Sequence, residues 1–135
     1  MKQRLAAELC TLGHEVLDLG AHDAGRVDYP DFGAAVGRAV ADAEADLGVC
    51  VCGSGIGMAM AANKVPGVRA ASVHDATSAR LARQHNDANV LCLGERLLDP
   101  DVASEAVRAW LDAEFEGGRH IGRVAKLAEL DGSVG

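Results

Sequence analysis

The chain has 135 residues, of which 49% are hydrophobic and 24% charged, so it is long enough and apolar enough to fold as one globular domain. Thirteen basic residues against 20 acidic ones leave a formal net charge of −7, which argues against electrostatic binding to nucleic acid or to an anionic membrane surface. The longest uncharged run, residues 47–63, is interrupted by glycines and predicts no membrane span. No signal peptide opens the sequence, so we expect a cytoplasmic protein with one domain over residues 1–130 and a flexible tail over residues 131–135.

Helical and strand-like segments alternate along the chain. Apolar residues spaced three or four apart predict helices, and short continuous apolar runs predict buried strands. The expected elements are a helix over residues 2–12, a strand over 15–19, a helix from 29 to about 45, a strand over 47–52, a short helix after 57, a strand over 68–73, a helix over 75–84, a strand over 89–94, and helices over 100–115 and 119–130. This alternation predicts an α/β fold in which a parallel sheet lies between two layers of helices.

The strongest chemical signal follows the strand over residues 47–52, where the sequence reads Cys52-Gly53-Ser54-Gly55-Ile56-Gly57. Parallel sheets carry their chemistry in the loops at the carboxyl ends of the strands. A thiol beside a glycine-rich turn that enters a helix sits where backbone N–H groups converge, and such a field favours the thiolate and stabilises a nearby oxyanion. A tight strand-to-helix turn around a buried cysteine explains the same pattern about equally well.

Two further polar segments carry candidate groups. His85 can act as a general acid or base because histidine exchanges protons near neutral pH, although capping of a helix by Asn86 beside a solvated histidine is favoured when this segment is taken alone. Arg119 and Arg123 are four residues apart at a predicted helix start, so they share one face. That pair suggests a phosphate site, and a solvated basic face fits it equally well.

The four cysteines are Cys10, Cys50, Cys52 and Cys92, and all lie in apolar or glycine-rich surroundings. Without an export signal, we expect them to be reduced thiols. Cys50 and Cys52 have no second pair of ligands elsewhere in the sequence, so no zinc site is predicted from them.

Taken together, five segments resemble the ribose-5-phosphate isomerase B family of sugar-phosphate isomerases. They are residues 27–31, 52–57, 61–64, 83–90 and 114–123, and they follow the family's order and spacing over nearly the whole chain. The resemblance implies a Rossmann-like fold and a cofactor-free, metal-free aldose–ketose isomerase. It also implies a homodimer, in some members a tetramer, with active sites between subunits.

The reaction that the resemblance implies is the interconversion of D-ribose 5-phosphate and D-ribulose 5-phosphate through a cis-enediolate, a step of the pentose phosphate pathway. The same chemistry on galactose 6-phosphate, allose 6-phosphate or a tetrulose phosphate is an alternative. A non-catalytic subunit that binds sugar phosphates is an alternative from another functional class.

Roles for individual residues also follow from the resemblance. Cys52 is similar to the base that removes the proton beside the carbonyl, and His85 is similar to the group that opens the furanose ring. Ser54 and the N–H groups of residues 53–57 resemble the hole that holds the enediolate. The implied substrate-binding residues are Gly53, Ser54, Gly55, Ile56 and Gly57 in that loop, Asn86 at the sugar, Arg96, Arg119 and Arg123 at the phosphate with His120 nearby, and Tyr29 in the pocket wall.

The sequence departs from the family pattern at its start. Members open with a strand and an Asp-His-Ala-Gly-like loop that contacts the substrate, whereas this sequence begins about where the following helix starts. We therefore expect the first family strand and its two substrate ligands to be missing. Residues 21–25 look similar to that loop, but they follow the second family strand, so the role is not transferred to them. Ser54 stands where threonine is common, and its hydroxyl group can do the same work.

Overall fold

The computed structural model describes residues 1–20 and 28–131. The helices and strands are α1 (Lys2–Thr11), α2 (Tyr29–Ala41), β1 (Gly48–Cys52), α3 (Ile56–Ala62), β2 (Ala70–Ser72), α4 (Ala76–Asn86), β3 (Val90–Gly94), α5 (Pro100–Asp112) and α6 (His120–Asp131). Residues 21–25, which look similar to the family's opening loop, and residues 132–135 of the expected tail lie outside the described part. Among the helices of the described part, none is both long and apolar enough to cross a bilayer.

Three parallel strands form the sheet of the described chain, in the order β1-β3-β2. The central strand β3 is buried along its whole length, as expected of a continuous apolar strand covered on both faces. Helices α2 and α3 pack on one face of the sheet, and α1, α4 and α5 pack on the other. The predicted three-layer α/β architecture around a parallel sheet is confirmed.

Successive residues of β3 point into two separate apolar clusters, because side chains alternate across a strand. Val90 and Cys92 pack on the side of α2 and α3, whereas Leu91 packs on the side of α4 and α5. In that second cluster Trp110 is 1% exposed, and its indole N–H donates a hydrogen bond of 3.1 Å to the carbonyl of Ala88. This bond ties the end of α5 to the residues that lead into β3.

One predicted strand is not formed. Residues 15–19 have no regular secondary structure, because no other strand lies alongside them in the described part of the chain. An extended segment gains stability from hydrogen-bonded neighbours, which this one lacks. Helix α2 also ends earlier than predicted, at Ala41, and Ala43 then takes a left-handed conformation with φ 61° that no α-helix continues through.

The last helix changes the predicted boundary between domain and tail. Asp131 belongs to α6, and its carboxylate accepts a hydrogen bond of 2.8 Å from the N–H of Gly67, just before β2. Helix α6 nevertheless keeps apolar side chains in solvent, since Ile121, Leu127 and Leu130 are 59%, 43% and 66% exposed. Exposed apolar residues grouped on one element are typical of an interaction surface.

Candidate active site

The loop between β1 and α3 holds the sulfur of Cys52 in a defined position. The N–H of Gly55 donates a hydrogen bond of 3.1 Å to Cys52 Sγ, and the cysteine remains partly exposed at the end of its strand. Gly55 is left-handed, with φ 80°, and a Cβ there would lie 2.9 Å from the backbone of Leu93. Only glycine fits this turn without strain, so the glycine-rich sequence is what aims an N–H at the thiol.

The same loop leaves backbone donors free to bind a ligand. Within the described residues, the N–H groups of Ser54 and Gly57 have no protein acceptor. The hydroxyl oxygen of Ser54 accepts the N–H of Ile56 at 3.2 Å, which leaves its own proton available to a ligand. A sulfur in a loop that also carries free N–H and O–H donors can accept a proton while those donors stabilise an oxyanion.

Two other predicted residues join this loop. The ring of Tyr29 lies against Gly57, where a Cβ would come within 2.5 Å of a ring carbon. The guanidinium group of Arg96 lies beside Gly53, and the N–H of Arg96 donates to the Gly53 carbonyl at 3.0 Å. We call this group the thiol cluster: Tyr29, Cys52, Gly53, Ser54, Gly55, Ile56, Gly57 and Arg96.

A second group of predicted residues surrounds His85 near the end of α4. The imidazole rings of His85 and His120 are stacked, with centroids 4.3 Å apart and an angle of 13° between the planes. His85 Nε2 lies 3.3 Å from Glu116 Oε1, so the carboxylate lies beside the ring nitrogen. The N–H of Glu116 donates to the carbonyl of Gln84 at 3.0 Å, which places the residues before α6 against α4.

Positive charge surrounds the buried histidine of this group. Burial of the His120 ring is the largest effect on its pKa and lowers it. The charges of His85, Arg119 and, more weakly, Arg123 lower the pKa further, whereas the charge of Glu116 raises it. His120 is therefore favoured as the neutral form, which can stack on His85 without charge repulsion. Arg119 and Arg123 themselves are exposed, so their guanidinium groups are available to an anion.

Asn86 lies at the same end of α4 and is exposed. The left-handed residue that ends α4 is Asp87, with φ 48°, so the alternative in which Asn86 caps the helix is wrong. Asn86 instead lines a cavity of about 420 Å³ between β2 and α6, together with Arg69 and Leu127. We call His85, Asn86, Glu116, Arg119, His120 and Arg123 the histidine cluster.

The thiol cluster and the histidine cluster lie at opposite ends of the sheet within one chain. Cys52 is the last residue of β1. Helix α4 runs back along the sheet and ends beside the first residues of the strands. A hydrogen bond of 2.9 Å from the N–H of Gly48, the first residue of β1, to the carbonyl of Asn89 marks that end of the sheet. A five-residue strand spans about 13 Å between its terminal Cα atoms. A single chain therefore does not bring Cys52 and His85 together.

Glu116 is the site residue that the sequence did not single out. It lies in the segment 114–123 that carries the family resemblance, yet its spacing from His85 in the sequence does not predict a contact between the two side chains. The only signal was a carboxylate next to two glycines and ahead of a basic helix, in a segment already suspected of binding phosphate.

Known proteins match this chain over most of its length. The ribose/galactose isomerase family matches residues 1–127. Ribose-5-phosphate isomerase B of Escherichia coli is 43% identical over 131 residues, which cover 97% of this chain and 88% of that protein. The structure of ribose-5-phosphate isomerase B from Clostridium thermocellum superposes with a TM-score of 0.97 at 48% identity, covering 99% of this chain and 90% of that one.

Further relatives include one structure with a bound sugar phosphate and two isomerases named for other sugar phosphates. The structure of the Mycoplasma genitalium ribose-5-phosphate isomerase B with bound ribulose-5-phosphate superposes with a TM-score of 0.91 at 43% identity, covering 97% of this chain and 88% of that one. A D-erythrulose-4-phosphate isomerase of Pectobacterium atrosepticum is 48% identical over 73% of this chain and 65% of its own length. A galactose-6-phosphate isomerase subunit of Clostridium acetobutylicum is 40% identical over 86% of this chain and 67% of its own.

Proposed function

This chain belongs to the ribose/galactose isomerase family, and from that membership we propose that it interconverts D-ribose 5-phosphate and D-ribulose 5-phosphate. The observation that carries the proposal is the position of Cys52 Sγ, 3.1 Å from the backbone N of Gly55 and in the same loop as the N–H groups of Ser54 and Gly57, which have no acceptor among the described residues. Isomerisation of an aldose needs a base for a weakly acidic proton and donors for the oxyanion that forms, and this loop offers both.

The chemistry follows from that arrangement. Cys52, as the thiolate, removes the proton from C2 of the open-chain aldose, and the electron pair moves to form an enediolate between C1 and C2. The N–H groups of the loop and the Ser54 hydroxyl hold the negative oxygen. The hydroxyl proton on O2 passes to O1 within the cis-enediolate. The thiol then returns its proton to C1, which yields the ketose with its carbonyl at C2 and regenerates the thiolate, so no external oxidant or reductant is consumed.

The histidine cluster would supply the other two requirements of the substrate. His85, with Glu116 beside its ring nitrogen, exchanges the proton that opens the furanose ring. Arg119 and Arg123 hold the phosphate, which takes no part in the chemistry but positions the reacting carbons. Because these groups lie at the opposite end of the sheet from Cys52, a complete site requires a second chain, and a homodimer with active sites between subunits satisfies that requirement.

The substrate is tested by a panel of phosphorylated sugars. We expect the highest kcat/KM with D-ribose 5-phosphate and D-ribulose 5-phosphate, and lower values with galactose 6-phosphate, allose 6-phosphate and D-erythrulose 4-phosphate. A higher kcat/KM for one of the other sugars would keep the chemistry and replace the substrate. Binding of D-ribose 5-phosphate without turnover of any sugar would contradict the catalytic proposal.

Loss of the two arginines is expected to weaken substrate binding far more than turnover. A charge-assisted contact contributes about 1.5–3 kcal/mol, so Arg119→Ala and Arg123→Ala should each raise KM by about 10- to 100-fold. Inorganic phosphate should compete with the substrate, and less so in the two variants. The measurement is steady-state kinetics with phosphate as inhibitor.

The matched control is Arg38→Ala, which removes an exposed arginine on α2 with the same change in net charge. Its KM should stay within a factor of about two of the unmodified chain, as expected for a surface substitution away from the site. An equal rise in KM in all three variants would mean that net charge, and not a phosphate site, governs binding.

A further inference from the structure

Three side chains of the histidine cluster could together hold a metal ion, a capacity that the proposed isomerase chemistry does not use. His85, Glu116 and His120 each offer one ligand atom, and these atoms all lie within 4.8 Å of one another. They come from two segments that the fold brings together, the end of α4 and the residues that lead into α6. Two imidazoles and one carboxylate with an open fourth position are a frequent ligand set for zinc in proteins.

We propose that His85, Glu116 and His120 bind Zn²⁺ or a similar divalent transition-metal ion, and that the bound ion inhibits the enzyme. Nitrogen-rich sets of this kind favour Zn²⁺, Cu²⁺, Ni²⁺ and Co²⁺ over Mg²⁺ and Ca²⁺. Inhibition rests on the proposed role of His85, because a ring that coordinates a metal cannot exchange the ring-opening proton. Binding of the ion does not depend on that role.

The distance between the ligand atoms of His85 and Glu116 already suits a bound ion. Ligand atoms bound at about 2.0–2.1 Å in a tetrahedral site are about 3.3 Å apart. His85 Nε2 and Glu116 Oε1 are separated by 3.3 Å, so an ion can bind between them with little movement.

His120 needs a larger adjustment. The two imidazole rings are stacked with only 13° between their planes, and parallel rings cannot direct their lone pairs at one ion. The His120 ring must therefore turn and approach the other ligands, which breaks the stack on His85. Metal binding and the stacked arrangement then exclude each other, so the ion converts the cluster to a second state.

Nearby charge limits the affinity. The exposed guanidinium groups of Arg119 and Arg123 act on His120 and oppose a cation at this position. A bound anion at those arginines would offset that repulsion. We therefore expect weaker binding than at a structural zinc site, together with a dependence on the anions present.

The test is calorimetric titration of ZnCl₂ into the metal-free full chain, in a buffer without phosphate. We expect one Zn²⁺ per chain, no heat with MgCl₂, and a loss of affinity of about 10-fold or more in Glu116→Gln and in His120→Asn. Glu116 is half-exposed, so Glu116→Gln should fold even if replacement of the buried His120 does not. His14→Asn, which removes an exposed histidine shortly after α1, is the matched control and should bind as the unmodified chain does.

A Cys52 variant distinguishes the proposed site from a site at the thiol, since a thiolate is also a zinc ligand. Cys52→Ser should retain the heat of Zn²⁺ binding even though it removes the proposed catalytic base. If Cys52→Ser abolishes binding while Glu116→Gln retains it, the metal site is at the thiol and the proposal is wrong. Equal affinity in the unmodified chain and Glu116→Gln also overturns it, whereas inactivity of the unmodified chain with intact binding overturns only the proposed function.

Discussion

Replacement of Cys52 by alanine is expected to lower kcat by about 10²- to 10⁴-fold, the range that a positioned general base contributes. The side chain is partly exposed at the end of β1, so its removal leaves the two apolar clusters of the core intact. KM should change little, because Arg119 and Arg123 belong to the other end of the sheet and Arg96 is left in place. Turnover of D-ribose 5-phosphate and the thermal midpoint, measured on the same preparation, separate loss of the base from loss of the fold.

Cys10→Ala is the control for this prediction. Cys10 is exposed near the end of α1, so the same substitution removes a thiol without touching the thiol cluster. Its kcat should equal that of the unmodified chain. Unchanged turnover in Cys52→Ala would rule out the sulfur as the base, whatever the effect of the control.

Two inactive variants are expected to restore activity when they share one dimer. If each site takes Cys52 from one chain and His85 from the other, a dimer of Cys52→Ala with His85→Ala contains one site with both defects and one intact site. Purification on both tags selects the mixed dimers, in which one of the two sites is intact, so about half of the unmodified activity per dimer should return. The measurement is turnover of co-expressed, differently tagged chains after purification on both tags.

The matched control pairs Cys52→Ala with Cys52→Ser, since both sites of that mixed dimer lack the thiol. No activity should return in this pair, although the chains associate equally well. A mixed Cys52→Ala and His85→Ala dimer that stays as inactive as its parents would mean that each site is built within one chain. The separation of the two clusters along the sheet makes restoration the expected outcome.

The sequence predicted all three strands of the described sheet. Residues 47–52 and 89–94 are nearly continuous apolar runs, and they became β1 and β3, the paired strands that carry both apolar clusters. Residues 15–19 have the same local character as a strand but no neighbour in the described sheet, so local propensity was not enough. Strand pairing depends on residues that are distant in sequence, so it cannot be predicted from one short segment.

For the site as well, local features could be predicted and contacts between distant segments could not. The turn around Cys52 could be predicted because its glycines, thiol and hydroxyl follow one another in the sequence, and the structure places them in one loop. The contact between His85 and Glu116 could not, because it joins α4 to the residues before α6. Which end of the sheet each residue occupies follows only from the direction in which α4 runs.

The single tryptophan of the sequence gives the protein a built-in optical reporter. Trp110 is buried, and its indole is bonded to Ala88, three residues beyond His85 in the chain. Its fluorescence therefore comes from one environment, next to the segment that carries the histidine cluster. A ligand that reorganises this segment should change the emission, so occupancy can be followed without any label.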